Sequence, residues 1–508
     1  MLFNSFEFIF VFLPITIFGF YGLGSFGLRQ AAIIWLVLAS FVFYGYWNYG
    51  SIILIISSMI FNYRMGIFLG NKYQNNPVKS YSLWVYHLFL YLGIAVNLAI
   101  LGYYKYANFL IDNFNVFTGA ELNLKNIILP LGISFFTFQK IAYLVDSYNG
   151  KTRNYSFFDY CLFVIFFPQL IAGPIVHHWE IVPQFANQKI IKFSYENFAL
   201  GWTIFSLGLF KKVIIADGVS AYSTPIFVAA ASGTELDSFE AWRGVLAYTF
   251  QLYFDFSGYS DMAIGISRIF GITLPINFDS PYKANSIIDF WRRWHITLSR
   301  FLKDYLYIPL GGNRKGETRR YLNLLITMLL GGLWHGASWT FVIWGGLHGC
   351  YLIINHLHIS LKKYLSWHNN KQSILEILFY RILTFLSVVI AWVFFRSESL
   401  DGAIIILQSM MKFNFSSFFH NNLSNLTSNI VFYGFWLPFL LLIVWFAPNT
   451  QQILMQYKPT LSSDDSKISH AFLWKPNLLW ATSLGLISFI AISKVLEAKA
   501  SEFLYFQF

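Results

Sequence analysis

Hydrophobic runs of about twenty residues recur along the whole chain, and they leave few folds open. They begin near Phe8, Ala31, Ser51, Trp84, Asn126, Phe157, Phe198, Ala241, Leu322, Thr340, Ile374, Ile430 and Leu478. Of the 508 residues, 56% are hydrophobic and 12% are charged, against roughly 25% charged in a soluble domain. In hydrocarbon every backbone N–H and C=O must bond internally, so such runs fold as helices. The expectation is an all-α polytopic membrane protein of about 10–13 spans, some of them tilted, broken or re-entrant. No repeat, low-complexity linker or soluble domain interrupts residues 1–508, which read as one membrane domain. The opening MLFNSFEF carries an acid and no basic n-region, so it is expected to stay as a first span.

The charges orient the spans. A net charge of +11 raises nucleic acid as a partner. However, the bases sit in short loops between apolar runs, and no aromatic-basic RNA motif accompanies them. The implied partner is the lipid bilayer, with no nucleic acid. Loops around 189–192, 283–320 and 362–371 are rich in Lys and Arg and are expected in the cytosol. The stretch 413–429 has neither and is expected outside. Counting spans onward from it places the C-terminus on the outer face. Cys161 and Cys350 are too few for a disulfide framework, and no His, Glu or Cys pattern has zinc spacing, so no metal is expected.

One stretch concentrates the chemistry. Eight Lys or Arg fall between Arg292 and Arg320. Tyr321 to Trp334 is then apolar apart from Asn323 and Thr327, and His335 follows, bracketed by Gly331, Gly332 and Gly336. An ionisable group beside a hydrophobic span is costly and marks function by default. Glycine permits bends, and irregular backbone at membrane depth survives only when buried in protein or lining a cavity. The reading is a tunnel at His335, walled by Trp334 and opening through a basic mouth. The plainer reading is a histidine bonded to a neighbouring helix beside a positive-inside loop. Asp255 and Asp261, in FDFSGYSDMA, either line the tunnel or join a polar network between helices. Ser257 and Ser260 form no G-x-S-x-G elbow, which argues against a serine hydrolase.

The segments WRRWHITLS, DYLYIPLGGNR and LWHGASW resemble the membrane-bound O-acyltransferase family. More narrowly, they resemble its bacterial branch of alginate and peptidoglycan O-acetylases and the D-alanyl transfer protein of teichoic acid synthesis. The resemblance runs from FNSFEFIFVFLP to the last six residues. It implies a helical bundle around a central tunnel, with His335 as catalytic histidine and His295 as the second family histidine. Without the resemblance, His295 reads equally as a helix-end hydrogen bond, and His348 as a core or secondary residue. Acyl transfer from a thioester needs a base, oxyanion donors and a water-poor site. His335 suits the first, backbone N–H groups at the glycine turn the second, and Trp334 with its leucine neighbours the third.

The donor implied is acetyl-CoA, with no bound cofactor. Arg292, Arg293 and Arg314 are candidates for its phosphates, unless these bases meet an acyl carrier protein or only a lipid face. The tail FLYFQF, 503–508, is expected to be extracytoplasmic. By resemblance Tyr505 is an acyl relay; by composition it is an interfacial anchor. The whole implies a multi-pass enzyme of the bacterial inner membrane. It would O-acetylate a polysaccharide of the alginate or peptidoglycan type through a periplasmic SGNH/esterase-like acetyltransferase. The competing readings are D-alanyl or other acyl transfer from a carrier protein, and a transporter or flippase for a glycan precursor.

Overall fold

The computed structural model describes residues 1–73, 82–124, 127–152, 155–171, 173–365, 373–412, 423–461, 472–497, 501 and 503–504, and among them there is no strand. Parts of the loops expected inside (362–371) and outside (413–429) lie outside the described residues, as does Tyr505 with the rest of 505–508.

The first helices are α1 (Leu13–Ser25), α2 (Arg29–Gly45) and α3 (Gly50–Gly70); Phe8 and Phe12, in the π turn Glu7–Phe12 that leads into α1, pack on Phe43 of α2. α4 (Leu83–Leu101) passes through a π turn, Gly102–Tyr106, into α5 (Ala107–Thr118), making one apolar rod of 36 residues. α6 (Ile133–Tyr148), α7 (Phe157–Ile165), α8 (Phe167–Leu170) and α9 (His178–Ala186) follow. A reciprocal capping box between Ser156 and Asp159 starts α7. α10 (Tyr195–Phe210) continues through the π turn Lys211–Ala216 into α11 (Asp217–Ala231), a second rod of 37 residues.

α12 (Ser238–Ile269) is the axis of the bundle, 32 residues long and buried along most of its length. Its approach to α10 is set by glycines. A Cβ on Gly201 would stand 2.5 Å from the Gly265 carbonyl oxygen, and one on Gly208 2.6 Å from that of Gly258. Only glycine lets two membrane helices lie this close.

The second half contributes α13 (Ile287–Arg293), α14 (Ile296–Leu302), α15 (Glu317–His335), α16 (Trp339–Tyr364), α17 (Ile374–Arg396) and α18 (Leu400–Met411). α19 (Leu423–Val431), α20 (Leu437–Phe446), α21 (Thr450–Ile453) and α22 (Leu478–Glu497) complete it. Among the described residues seven helices are long and apolar enough to cross a membrane. The remaining spans counted from the sequence are shorter, like α2, or carry buried polar side chains, like α12 and α15; the short apolar helix α18 was not among them. Large apolar side chains such as Ile53, Phe379, Leu442 and Phe489 coat the outside of the bundle, as a lipid-facing surface requires.

The glycines of LLGGLWHG do not break the helix where the sequence suggests. α15 stays helical through Gly331 and Gly332 and stops only at Gly336, whose backbone is extended. Gly332 instead receives α16. A Cβ there would overlap the Phe341 carbonyl oxygen and stand 3.1 Å from the Gly345 Cα.

Candidate active site

His335 is the last residue of α15. Because Gly336 leaves the helix, the carbonyls of the final turn lack intrahelical partners. The α4–α5 rod supplies them. Tyr106 OH donates to Leu333 O (2.8 Å), and Lys105 Nζ donates to Trp334 O (2.6 Å) and His335 O (2.9 Å). The buried imidazole is walled by Trp334, Trp344 and Phe395, with ring centroids 4.9, 5.1 and 5.3 Å away. It also lines a cavity of ≈ 100 Å³ together with Lys105, Ser134, Gly132, Trp47 and Trp334. Trp334 is held in place by Phe138, stacked at 5.1 Å.

His295 stands opposite, its ring centroid 6.5 Å from that of His335. It occupies the kink between α13 and α14 with φ 43° and ψ 53°, a left-handed backbone in a residue other than glycine. Such conformations are uncommon outside glycine and cluster at functional sites. The surroundings fix this one. Ile296 N–H donates to Asn277 O (3.0 Å), and Asp279 N–H donates to Arg293 O (2.9 Å). Asn277 Oδ1 accepts from Thr297 Oγ1 (2.9 Å) and lies 3.1 Å from His295 Nδ1. An amide oxygen only accepts, so His295 carries its proton on Nδ1 and Nε2 is the basic nitrogen. Phe256 packs edge-on against the ring at 4.8 Å.

A second cavity, of ≈ 420 Å³, is lined by Trp291, Arg292, Ser299, Lys303, Thr327 and His356 among others. Met328, also on its lining, precedes His335 on α15 by about 10 Å of helix rise. Trp344 stands between Trp291 and His335, at 5.9 and 5.1 Å from their rings. Arg292 thus faces a cavity. Arg293 is engaged by Asp289 (3.0 Å) and Asp279 (3.4 Å), and Arg314 is exposed in the loop before α15. The turn at Gly336 folds α16 back along α15, so His348 packs at 5.0 Å on Trp344, the ring that stands 5.1 Å from His335. His348 lies between Trp344 and Trp291, whose Nε1 lies 3.3 Å from its Nδ1.

Asp255 and Asp261 sit in ion pairs within the bundle. Lys212 Nζ is 2.6 Å from Asp255 Oδ1, and Lys211 Nζ is 2.7 Å from Asp261 Oδ2, which also accepts from Thr450 Oγ1. Neither aspartate lines the two cavities just described. The described part of the tail comes to Asp255. Leu504 N–H donates to Asp255 Oδ2 (3.1 Å), and Phe503 is buried against Tyr259 and Phe256.

Sequence reasoning passed over Lys105 and Asn277. Lys105 had a signal, an ammonium inside an apolar run, and the rule that singled out His335 applies to it equally. Asn277, a lone amide in ITLPINFDS, had none.

Residues 39–374 match the profile of MBOAT, the membrane-bound O-acyltransferase family. The chain is similar to a "Peptidoglycan O-acetyltransferase" from Helicobacter pylori, 40% identical with 100% of this chain and 98% of the relative covered. It is similar to a "Probable alginate O-acetylase AlgI" from Pseudomonas aeruginosa, 42% identical over 84% of this chain and 78% of the relative. A "Teichoic acid D-alanyltransferase" from Streptococcus thermophilus is more distant, 28% identical over 47% of this chain and 60% of the relative. On this match and this helical bundle, the chain belongs to the membrane-bound O-acyltransferase family and is a multi-pass membrane O-acyltransferase.

Proposed function

We propose that this chain takes an acetyl group from cytosolic acetyl-CoA and passes it across the bacterial inner membrane. The final acceptor is a hydroxyl of an extracytoplasmic polysaccharide of the alginate or peptidoglycan type. The observation that carries the reading is the meeting of His295 and His335. They come from separate segments, and their rings face each other at 6.5 Å beside a small cavity. The names of the two relatives above supply the acyl group and the class of acceptor.

The chemistry follows from the positions. Arg292 and Lys303, with Arg314 on the neighbouring loop, receive the phosphates of the donor at the larger cavity. The thioester reaches the histidines past Trp344. His335 removes the proton from the attacking hydroxyl as its oxygen bonds to the acetyl carbon. The tetrahedral oxyanion collapses, the C–S bond breaks, and the imidazolium returns the proton to the CoA thiolate. The cavity of ≈ 100 Å³ beside His335 has room for an acetyl group.

Tyr505, the residue after Leu504, is the attacking hydroxyl in this scheme. It then offers the ester to a periplasmic SGNH/esterase-like transferase. Phe503 supports this placement, being one ring, Phe256, away from His295.

The test uses purified protein in detergent with radiolabelled acetyl-CoA. Label is expected on the peptide containing Tyr505, absent in Tyr505→Phe and reduced at least about 100-fold in His335→Ala. Equal labelling of wild type and His335→Ala overturns the role of His335. No transfer by the wild type favours a flippase.

A further inference from the structure

The α4–α5 rod carries one lysine, Lys105, and the only π turn in the rod, Gly102–Tyr106, surrounds it. In a regular α-helix adjacent side chains diverge by about 100°, so two neighbours do not serve the same partner. Here both do. The wider π turn lets Lys105 and Tyr106 reach the same element, and they bond three successive carbonyls, Leu333, Trp334 and His335. These are groups that α15 cannot satisfy once Gly336 leaves the helix.

An ammonium has three donors. Two are spent on Trp334 O and His335 O, and Ser134 Oγ lies 3.5 Å away on the wall of the cavity that His335 lines. The positive charge also sits at the negative end of the α15 dipole. Without it the Trp334 and His335 carbonyls would lose the donor that stands in for the missing next turn, while the bond that closes the helix, Gly336 N–H to Gly332 O, is already long at 3.4 Å.

We propose that Lys105, assisted by Tyr106, is a positioning residue for catalysis. It locks the last turn of α15 so that the His335 imidazole stays at the cavity and opposite His295. The inference rests on His335 acting as the base.

The test measures steady-state release of CoA from acetyl-CoA and thermal unfolding on the same preparations. Lys105→Met removes the donors and keeps most of the length of the side chain. It is expected to lower kcat by about 100-fold, the cost of a misplaced reacting group, with KM for acetyl-CoA within about twofold. Lys105→Arg is expected to recover at least about tenfold of that loss, and Tyr106→Phe to lose a smaller factor, about threefold to tenfold. A purely structural lysine gives a different pattern: less folded protein, and an unchanged kcat per folded molecule in every variant. That pattern overturns the proposal. Should Lys105→Met fail to fold, Lys105→Arg and Tyr106→Phe decide, and wild-type kcat in both overturns it. His335→Ala run alongside separates the two ideas. Activity in His335→Ala removes the base, while an inactive His335→Ala beside a fully active Lys105→Met removes only the clamp.

Discussion

At the scale of single residues, Asn277 controls how His295 is presented. Its Oδ1 is shared by Thr297 Oγ1 and His295 Nδ1, while its Nδ2 donates to Ser260 Oγ at 3.2 Å. Asn277→Leu removes the acceptor that selects the Nδ1–H tautomer. The expected outcome is a fall in kcat of about 10-fold to 100-fold, measured as acetyl-CoA turnover, since a wrongly oriented acid-base group loses most of its contribution. Unchanged turnover would mean that His295 is a packing residue. His335 stood out in the sequence beside an apolar span, and His295 only through the family resemblance of WRRWHITLS; the fold brings their rings to 6.5 Å. The residues that hold them were not legible. Lys105 and Asn277 lie in other segments of the chain, and nothing in a linear sequence indicates which carbonyl or imidazole a distant side chain will reach. Arg292 and Arg293 look alike in the sequence, yet one faces a cavity and the other is held by two aspartates.

At the scale of elements, α15 and α16 form the hairpin that carries His335. Their contact is made by glycines facing backbone: a Cβ on Gly345 would overlap the Met328 carbonyl oxygen, as one on Gly332 overlaps that of Phe341. Gly345→Leu therefore forces the helices apart. Overpacking of this kind costs about 1–3 kcal/mol or more, and a lowered unfolding temperature in detergent is the expected readout, together with loss of turnover as His335 moves. The apolar runs announced the helices well, because run length and lipid leave little choice of structure. They did not announce the π turns, which depend on one extra residue per turn rather than on composition. Three such turns carry side chains that join the bundle: Lys105 and Tyr106 in Gly102–Tyr106, Lys211 and Lys212 in Lys211–Ala216, and Tyr305, donating to Asp146 Oδ2 at 2.6 Å, in Lys303–Tyr307 after α14. The glycines of α15 were read as a break because glycine serves bends and close packing equally. Only the presence of α16 decides between the two.

At the scale of the whole molecule, the first residues and the described part of the tail, Phe503 and Leu504, meet on α12. Phe3 stacks on Tyr259 at 4.7 Å, Asn4 Nδ2 donates to Ser501 O at 3.1 Å, and Ser501 Oγ donates to Asp217 Oδ2 at 2.6 Å. Asp255 is the centre of this closure, since it accepts from Lys212 and from Leu504 N–H together. The carboxylate thus does two separable jobs, neutralising a buried lysine and tethering the tail. Asp255→Leu alone leaves Lys212 buried beside the partly exposed Asp217, and loss of one member of a buried pair costs about 3–5 kcal/mol. Replacing both members, Asp255→Leu with Lys212→Met, removes the stranded charge, so thermal unfolding should return close to wild type. The tether does not return, because Leu504 N–H still lacks its acceptor. If the tail is the acyl relay, the double variant should be stable yet label Tyr505 at no more than about a tenth of the wild-type rate, as expected for a displaced nucleophile. Wild-type labelling in a stable double variant would assign Asp255 to stability alone and leave the tail to find the histidines without it.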